Sequence, residues 1–370
     1  MSDLPTSTAT GQQPTPPGVT LTVDGDRWRA HLRRVLEQRP GLVPVVKGNG
    51  YGFGNGRLAR RAQWLGVDTV AVGTYPEVAD VAQRFDGDAL VLSPWRPGDP
   101  APGDPRVVHT LGRIDDVLAF AAFRELRHRP RVVLERMTSM RRHGFSASGL
   151  REAAGLARAG GLRLEGTALH LPLMSGSHLG EVDRLMTDVV AAGLEQAADG
   201  APGTVWVSHL TADELLALRS RWPDVVFRPR IGTELWLGDR GALRVHATVL
   251  DVHQVERGET FGYRQRSAPR SGHLLVVAGG TAHGIGLEAP TGDQSLRARA
   301  ASLARGGLDA AGFVRSPYSV GGKQRLFAEP PHMQVSLLFL PSGAPVPAVG
   351  DEVDLRVRHT ATLVDRVVID

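Results

Sequence analysis

From residue 19 to about residue 236 the chain alternates two patterns of apolar spacing. Short runs of Val, Ile, Leu and Ala are followed by stretches with apolar residues at i, i+3 and i+4. The short runs read as strands buried on both faces, because parallel strands covered by helices lose the in/out alternation. They are Leu42 to Val46, Thr69 to Gly73, Ala89 to Ser93, Val107 to Thr110, Arg131 to Leu134, Leu164 to Leu169, Val205 to Ser208 and Val225 to Arg228. The intervening stretches, Gly56 to Leu65, Glu77 to Phe85, Leu150 to Ala159, Glu181 to Leu194 and Ala212 to Trp222, read as amphipathic helices, several preceded by Ser, Thr, Asp or Pro. Eight such strands predict an α/β fold with a closed (β/α)8 barrel of TIM type. An open doubly wound sheet shares the rhythm but normally opens its first helix with GxGxxG, and Gly48 to Gly56 does not match that pattern.

Beyond Gly241 the pattern becomes strand-like, with Gly and Pro turns between Arg244 to Val252, Leu274 to Ala278, Gln334 to Leu340 and Glu352 to Val357. A mainly β C-terminal domain is expected there. The organisation read from the sequence is a disordered tail at 1–18, a barrel at 19–240 and a β domain at 241–370. Residues 287–331 read as an insertion or a long connection with one short helical stretch, Leu296 to Leu303. The tail is rich in Ser, Thr, Pro and Gln and lacks the charged and apolar regions of a signal peptide. No apolar run approaches the roughly 20 residues of a membrane span, so a soluble, cytoplasmic protein is expected.

Composition narrows the chemistry. Lys+Arg number 43 against 39 Asp+Glu, a formal net charge of +4, and the arginines are spread along the chain, so no nucleic-acid partner is expected. With no cysteine, disulfides and thiolate metal sites are excluded, and no metal site is expected. Among the basic residues only Lys47 and Lys323 are lysine. Arginine serves a solvated surface equally well, whereas imine formation needs an amine whose proton can be removed.

Lys47 stands in Gly41 to Gly54, GLVPVVKGNGYGFG, at the C-terminal end of the first barrel strand. That end is the active face of such barrels. A Schiff base needs a partly desolvated amine with room for a carbonyl cofactor beside it, which flanking glycines provide. Tyr51, four residues on, places a hydroxyl within reach of an anionic group.

The stretch VVKGNGYGFG resembles the pyridoxal-phosphate motif of the alanine racemase family, usually VVKANAYGHG, and the likeness runs from about Val19 to Val357. It implies pyridoxal 5'-phosphate held by Lys47, with Tyr51 near the phosphate. Met140-Arg141-Arg142-His143-Gly144 is similar to the family's M-x-R-x-G and implies that Arg142 serves the cofactor's phenolic oxygen and the substrate carboxylate. Arg230-Ile231-Gly232-Thr233 resembles R-P-G-I, which implies Arg230 facing the pyridine nitrogen and the Gly232 and Thr233 amides around the phosphate. His170 matches the histidine that supports this arginine. A lone histidine at a strand end is nearly as often a core residue. Gly258-Glu259-Thr260-Phe261-Gly262-Tyr263 is similar to G-E-x-V-x-Y and implies that Tyr263 is a second acid–base residue opposite Lys47. In the family this tyrosine comes from the partner subunit, so a homodimer with shared active sites is implied. Met333 matches a methionine whose backbone amide meets the substrate carboxylate.

The departures fall on the substrate side. Five residues before Met140, where the family often has a carbamylated lysine, stands Glu135, which supplies a negative partner to orient Arg142. Gly280-Thr281-Ala282-His283-Gly284 replaces G-Y-A-D-G, and Gln334 replaces an aspartate, which opens space for a substrate larger than alanine. Thr211 is the nearest equivalent of the family's phosphate-binding serine. The chain stops at Asp370 without the family's tyrosine-bearing final segment, so one phosphate contact is expected to be missing or replaced. The function expected is racemisation of an amino acid, alanine by default. The alternatives are a racemase for a larger amino acid, a lyase or decarboxylase on the same scaffold, and a non-catalytic pyridoxal-phosphate-binding protein.

Overall fold

The computed structural model describes residues 16–123, 128–173, 176–197, 200–287 and 314–370. The expected tail, up to residue 15, and the expected helical stretch Leu296 to Leu303 lie outside these residues. Two compact units are present, Val23–Leu243 and the combination of residues up to Thr22 with Arg244–Ile369.

The larger unit is a closed parallel barrel of eight strands, β2 (Val43–Val46), β3 (Thr69–Val72), β4 (Asp88–Val91), β5 (Val107–Leu111), β6 (Arg131–Arg136), β7 (Arg163–Leu169), β8 (Gly203–Ser208) and β9 (Val225–Ile231). Each coincides with one of the eight apolar runs read from the sequence. The barrel closes between β2 and β9, with Val43 opposite Arg230 and Pro44 opposite Ile231. That closure brings the lysine strand beside the strand carrying Arg230. Val43, Val45, Ala71, Leu90, Val108, Val133, Ala168 and Trp206 fill the interior. The helices are α1 (Gly25–Gln38), α2 (Asn55–Leu65), α3 (Tyr75–Ala82), α4 (Ile114–Ala121), α5 (Ala147–Ala159), α6 (Leu179–Ala191), α7 (Ala212–Arg221) and α8 (Thr233–Leu237). Polar residues start several of them: Asp24 accepts the Arg27 N–H, Ser146 the Gly149 N–H, and Thr211 the Glu214 N–H. An aromatic cluster ties the ends of the barrel sequence together. Trp28 stacks on Phe53 at 4.7 Å between centroids, and its indole donates to the Trp236 carbonyl. The Trp236 indole in turn donates to the Val45 carbonyl at 2.8 Å, two residues before Lys47.

The second unit is antiparallel and β-rich: β1 (Val19–Val23), β10 (Leu243–Val255), β11 (Thr260–Phe261), β12 (Arg266–Ser267), β13 (Gly272–Ala278), β14 (Arg315–Val320), β15 (Lys323–Phe327), β16 (Val335–Pro341), β17 (Glu352–Leu355) and β18 (Arg366–Ile369). Its main sheet runs β13-β16-β15-β14-β17-β10-β1-β18, and the long β10 also pairs with β13, so six strands close on themselves. The expected boundary at residue 19 is corrected here. Val19 to Thr22 belongs with this sheet rather than with the barrel, because β1 finds its ladder partners in β10 and β18. Nothing in a five-residue apolar run specifies which of two sheets will satisfy its backbone groups.

Candidate active site

At the C-terminal mouth of the barrel the chain turns sharply after β2. The Gly50 N–H donates to the Lys47 carbonyl, and the Asn55 side-chain amide donates to the Gly48 carbonyl at 3.2 Å, closing a small loop at the strand end. Tyr51 holds the left-handed conformation, φ 54°, in the 3-10 turn Gly50–Gly52 and is buried. Its hydroxyl lies against the backbone of Gly232, where a Cβ would overlap it. Only glycine fits there, and burial pushes the phenol up to about 12.

Lys47 is accessible at the mouth, yet protein crowds it enough that burial lowers its pKa, and the nearby Arg142 and Arg230 lower it further while Glu77 opposes them. An amine in such a setting holds its proton weakly. Arg230 is buried at the end of β9. Desolvation brings it down to about 10, so it stays a cation at neutral pH. Its Nη2 donates to the Leu169 carbonyl at 3.1 Å, and its Nε has no partner among the described residues.

Arg142 is exposed in the excursion from Met137 to Gly144. The base of this excursion is pinned where the Phe145 N–H donates to the Glu135 carbonyl at 2.8 Å and the Met137 N–H donates to the Phe145 carbonyl at 3.0 Å. Glu135 is buried at the end of β6, and burial raises its pKa against the pull of Arg230, Arg142 and Arg96, in that order. The strongest cationic neighbour of Glu135 is thus Arg230, with Arg142 second. No ion pair of Glu135 with either arginine occurs among the described residues.

His170 follows β7, with Nδ1 3.3 Å from the Ser208 hydroxyl and its ring 5.4 Å from that of His209. Burial, then Arg230 and Arg142, bring His170 down to about 3, so it is neutral at physiological pH. Thr211, expected near a phosphate, is committed elsewhere. It caps α7, its hydroxyl accepting the Glu214 N–H at 3.2 Å and donating to the Glu214 carboxylate at 3.1 Å.

Two residues of this mouth were not read from the sequence. Glu77 accepts the N–H groups of Gly48, Gly73 and Thr74 at 2.7, 2.6 and 3.1 Å. The sequence signal was Thr74 followed three residues later by a glutamate, a capping box. His209 has φ 59° at the C-terminal end of β8. Its position just past a barrel strand was the available clue.

Tyr263 and Met333 belong to the second unit, where both are exposed. With Thr281, Glu329, His332 and Gln334 they border a cleft of about 580 Å³.

Comparison with known proteins adds the following. A family model described as "Alanine racemase, N-terminal domain" matches residues 23–226. The alanine racemase of Methylobacterium sp. (strain 4-46) is 32% identical over 291 residues, 73% of this chain and 76% of that protein. Among solved structures, the alanine racemase of E. faecalis superposes with a TM-score of 0.69 at 20% identity, covering 96% of this chain and 98% of that one. The alanine racemase of Bartonella henselae, solved with covalently bound pyridoxal phosphate, gives a TM-score of 0.64 at 16% identity over 93% and 92% of the two chains. At these identities the two structural likenesses speak for the fold.

Proposed function

The chain belongs to the alanine racemase family, and from that premise we propose that it interconverts the L and D forms of an amino acid, alanine by default, using pyridoxal 5'-phosphate. The observation that carries the reading is Lys47, an amine of lowered pKa at a barrel strand end among Arg142, Arg230 and neutral His170.

The residues present suit the cofactor. The mouth gathers cations, which favour a phosphate and disfavour protonation of Lys47. The unpartnered, buried Nε of Arg230 is a donor that an aromatic ring nitrogen would satisfy. Lys47 would hold the carbonyl carbon, Arg230 the ring nitrogen, Tyr51 with the Gly232 and Thr233 backbone the phosphate, and Arg142 the phenolic oxygen. When bound, pyridoxal phosphate supplies an electron-withdrawing ring that makes the α-proton of an attached amino acid removable.

The remaining work falls to the protein. Arg230 stays protonated, so it offers a hydrogen bond to the ring nitrogen but no proton, which limits electron withdrawal and favours return of the α-proton over elimination. The Lys47 Nζ takes or returns that proton on one face, and the Tyr263 hydroxyl serves the opposite face. Arg142 and the Met333 backbone amide would hold the substrate carboxylate. As the family resemblance implies for Tyr263, the reading includes a homodimer whose active sites are shared between subunits, in the cytoplasm. Among the described residues no helix is long and apolar enough to cross a membrane.

A second reading, racemisation of a larger amino acid, is favoured by Thr281, which stands where the family has a tyrosine and leaves more space for a side chain.

The test is incubation of the holoenzyme with a panel of amino acids in heavy water, following α-deuteration by NMR and chirality by chromatography. Exchange with inversion is the expected result, and release of carbon dioxide or ammonia instead would overturn it. Borohydride reduction should fix the cofactor on Lys47 and not on Lys323. A Lys47→Ala variant that still retained reducible cofactor would sink the assignment.

A further inference from the structure

We infer that Glu329 and His332 are positioning residues for Tyr263, fixing the phenol in the orientation from which it transfers a proton. This rests on the reading of Tyr263 as an acid–base residue and adds to it two side chains that need not touch the substrate.

Tyr263 follows β11 at the apex of its turn to β12 and is 83% exposed. A tyrosine so placed would exchange rotamers freely, and freezing it costs side-chain entropy. What opposes this motion is His332, whose ring centroid lies 4.4 Å from that of Tyr263 at an inclination of 46°. Ring contacts at this separation are favourable beyond the area they bury.

His332 is itself held on several sides. Its Nε2 lies 2.6 Å from Oε1 of Glu329, whose side chain is 1% exposed. Its main-chain N–H donates to the Val335 carbonyl at 2.9 Å, and its carbonyl accepts the Thr281 N–H at 2.8 Å. A carboxylate buried to this extent requires a partner, and His332 supplies one.

Independently, the same carboxylate sets the backbone beneath the phenol. Gly262 has φ 72°, and a Cβ on it would overlap the Glu329 carboxylate. The turn above is braced by the Gln265 side-chain amide, which donates to the Gly262 carbonyl at 3.0 Å, and by the Thr260 hydroxyl, which donates to Gln265 Oε1 at 3.2 Å. One buried group therefore fixes both the turn that carries Tyr263 and the imidazole that packs against it. Misplacing an acid–base group by about 1 Å can cost about 100-fold in rate.

The experiment compares Tyr263→Phe, His332→Gln and Glu329→Gln in the full-length holoenzyme. Loss of α-proton exchange is followed in heavy water separately from the D and the L enantiomer, with KM and melting temperature alongside. His332→Gln keeps a donor for Glu329 but removes the ring. Tyr263→Phe should depress exchange from one enantiomer far more than from the other. His332→Gln and Glu329→Gln should reproduce that one-sided loss by about tenfold or more, with KM little changed. A second readout needs no cofactor. In protein carrying ring-¹³C tyrosine, of which the chain has four, the Tyr263 resonance should shift in both variants.

Equal losses from both enantiomers with an unmoved Tyr263 resonance would overturn the inference. One-sided loss in Tyr263→Phe alone would sink the inference and leave the role of Tyr263 standing. Undiminished exchange in Tyr263→Phe would remove that role and the inference together.

Discussion

Glu77 accepts the backbone N–H of Gly48, the residue after Lys47, at 2.7 Å. The same carboxylate accepts the Gly73 and Thr74 N–H groups, so the side chain that starts α3 also ties the loop after β2 to the loop after β3. It is the carboxylate that opposes Arg142 and Arg230 in setting the Lys47 pKa.

Glu77→Ala leaves three N–H groups to find other partners at a strand end. Hydrogen bonds to a charged group are worth about 1.5–3 kcal/mol, and partial solvent access brings the expected loss to about 1–3 kcal/mol. Cofactor affinity should fall as well, because the loop bearing Lys47 loosens. Thermal melts and a cofactor titration check both effects. A variant with wild-type affinity would show that the tie is not needed for binding.

Glu135→Gln is expected to separate stability from activity. Burial raises the Glu135 pKa above its ordinary value, so the folded state holds this proton more tightly than the unfolded chain does. Its contribution is therefore favourable below the ordinary glutamate range and is lost as pH rises through the raised folded value. Glutamine removes that cost. Apoprotein melting at neutral pH should rise relative to wild type, the difference shrinking in acid, while turnover falls because Arg230 and Arg142 lose their negative neighbour. Unchanged turnover would count against a role for this carboxylate at the site.

Thr211→Ala should cost about 0.5–2 kcal/mol of stability, the usual loss for an N-cap, with little change in phosphate affinity, since its hydroxyl is engaged with Glu214. Denaturant midpoints set beside inorganic phosphate inhibition constants decide the point. Weakened phosphate binding without loss of stability would assign Thr211 to the phosphate instead.

Gly232→Ala places a methyl group on the Tyr51 hydroxyl. The expected result is a drop of more than tenfold in cofactor affinity, since a misplaced contact group loses most of its binding energy. Adding Tyr51→Phe should restore only part of the stability, because the ring carbon beneath the hydroxyl also crowds the methyl, and none of the affinity. A double-mutant cycle on melting and cofactor binding measures the coupling. Strict additivity would mean that the two residues do not meet in solution.

The eight barrel strands were legible because parallel strands buried on both faces are short, continuous apolar runs, and that property is local. Lys47 stood out for a similar reason, as a lysine at the end of such a run in a chain with only one other lysine, Lys323, among its arginines. Other roles depended on distant partners. Glu77 reads as a helix cap until Gly48, 29 residues away, is placed beside its carboxylate. Glu135 was matched with Arg142, and the structure adds Arg230, 95 residues further along the chain, as the cation that lowers its pKa most.

The sequence by itself determined where the eight barrel strands and five of the helices run, which lysine ends the first barrel strand and which motifs accompany it, since periodicity and spacing are properties of neighbouring residues. Only the tertiary structure decided that Val19 to Thr22 joins the second sheet, that the Glu77 carboxylate reaches Gly48, and that Glu329 and His332 stand beneath Tyr263. Those assignments depend on which backbone donors, buried charges and rings find one another across long stretches of chain, and burial there makes an unpaired polar group costly enough to fix the choice.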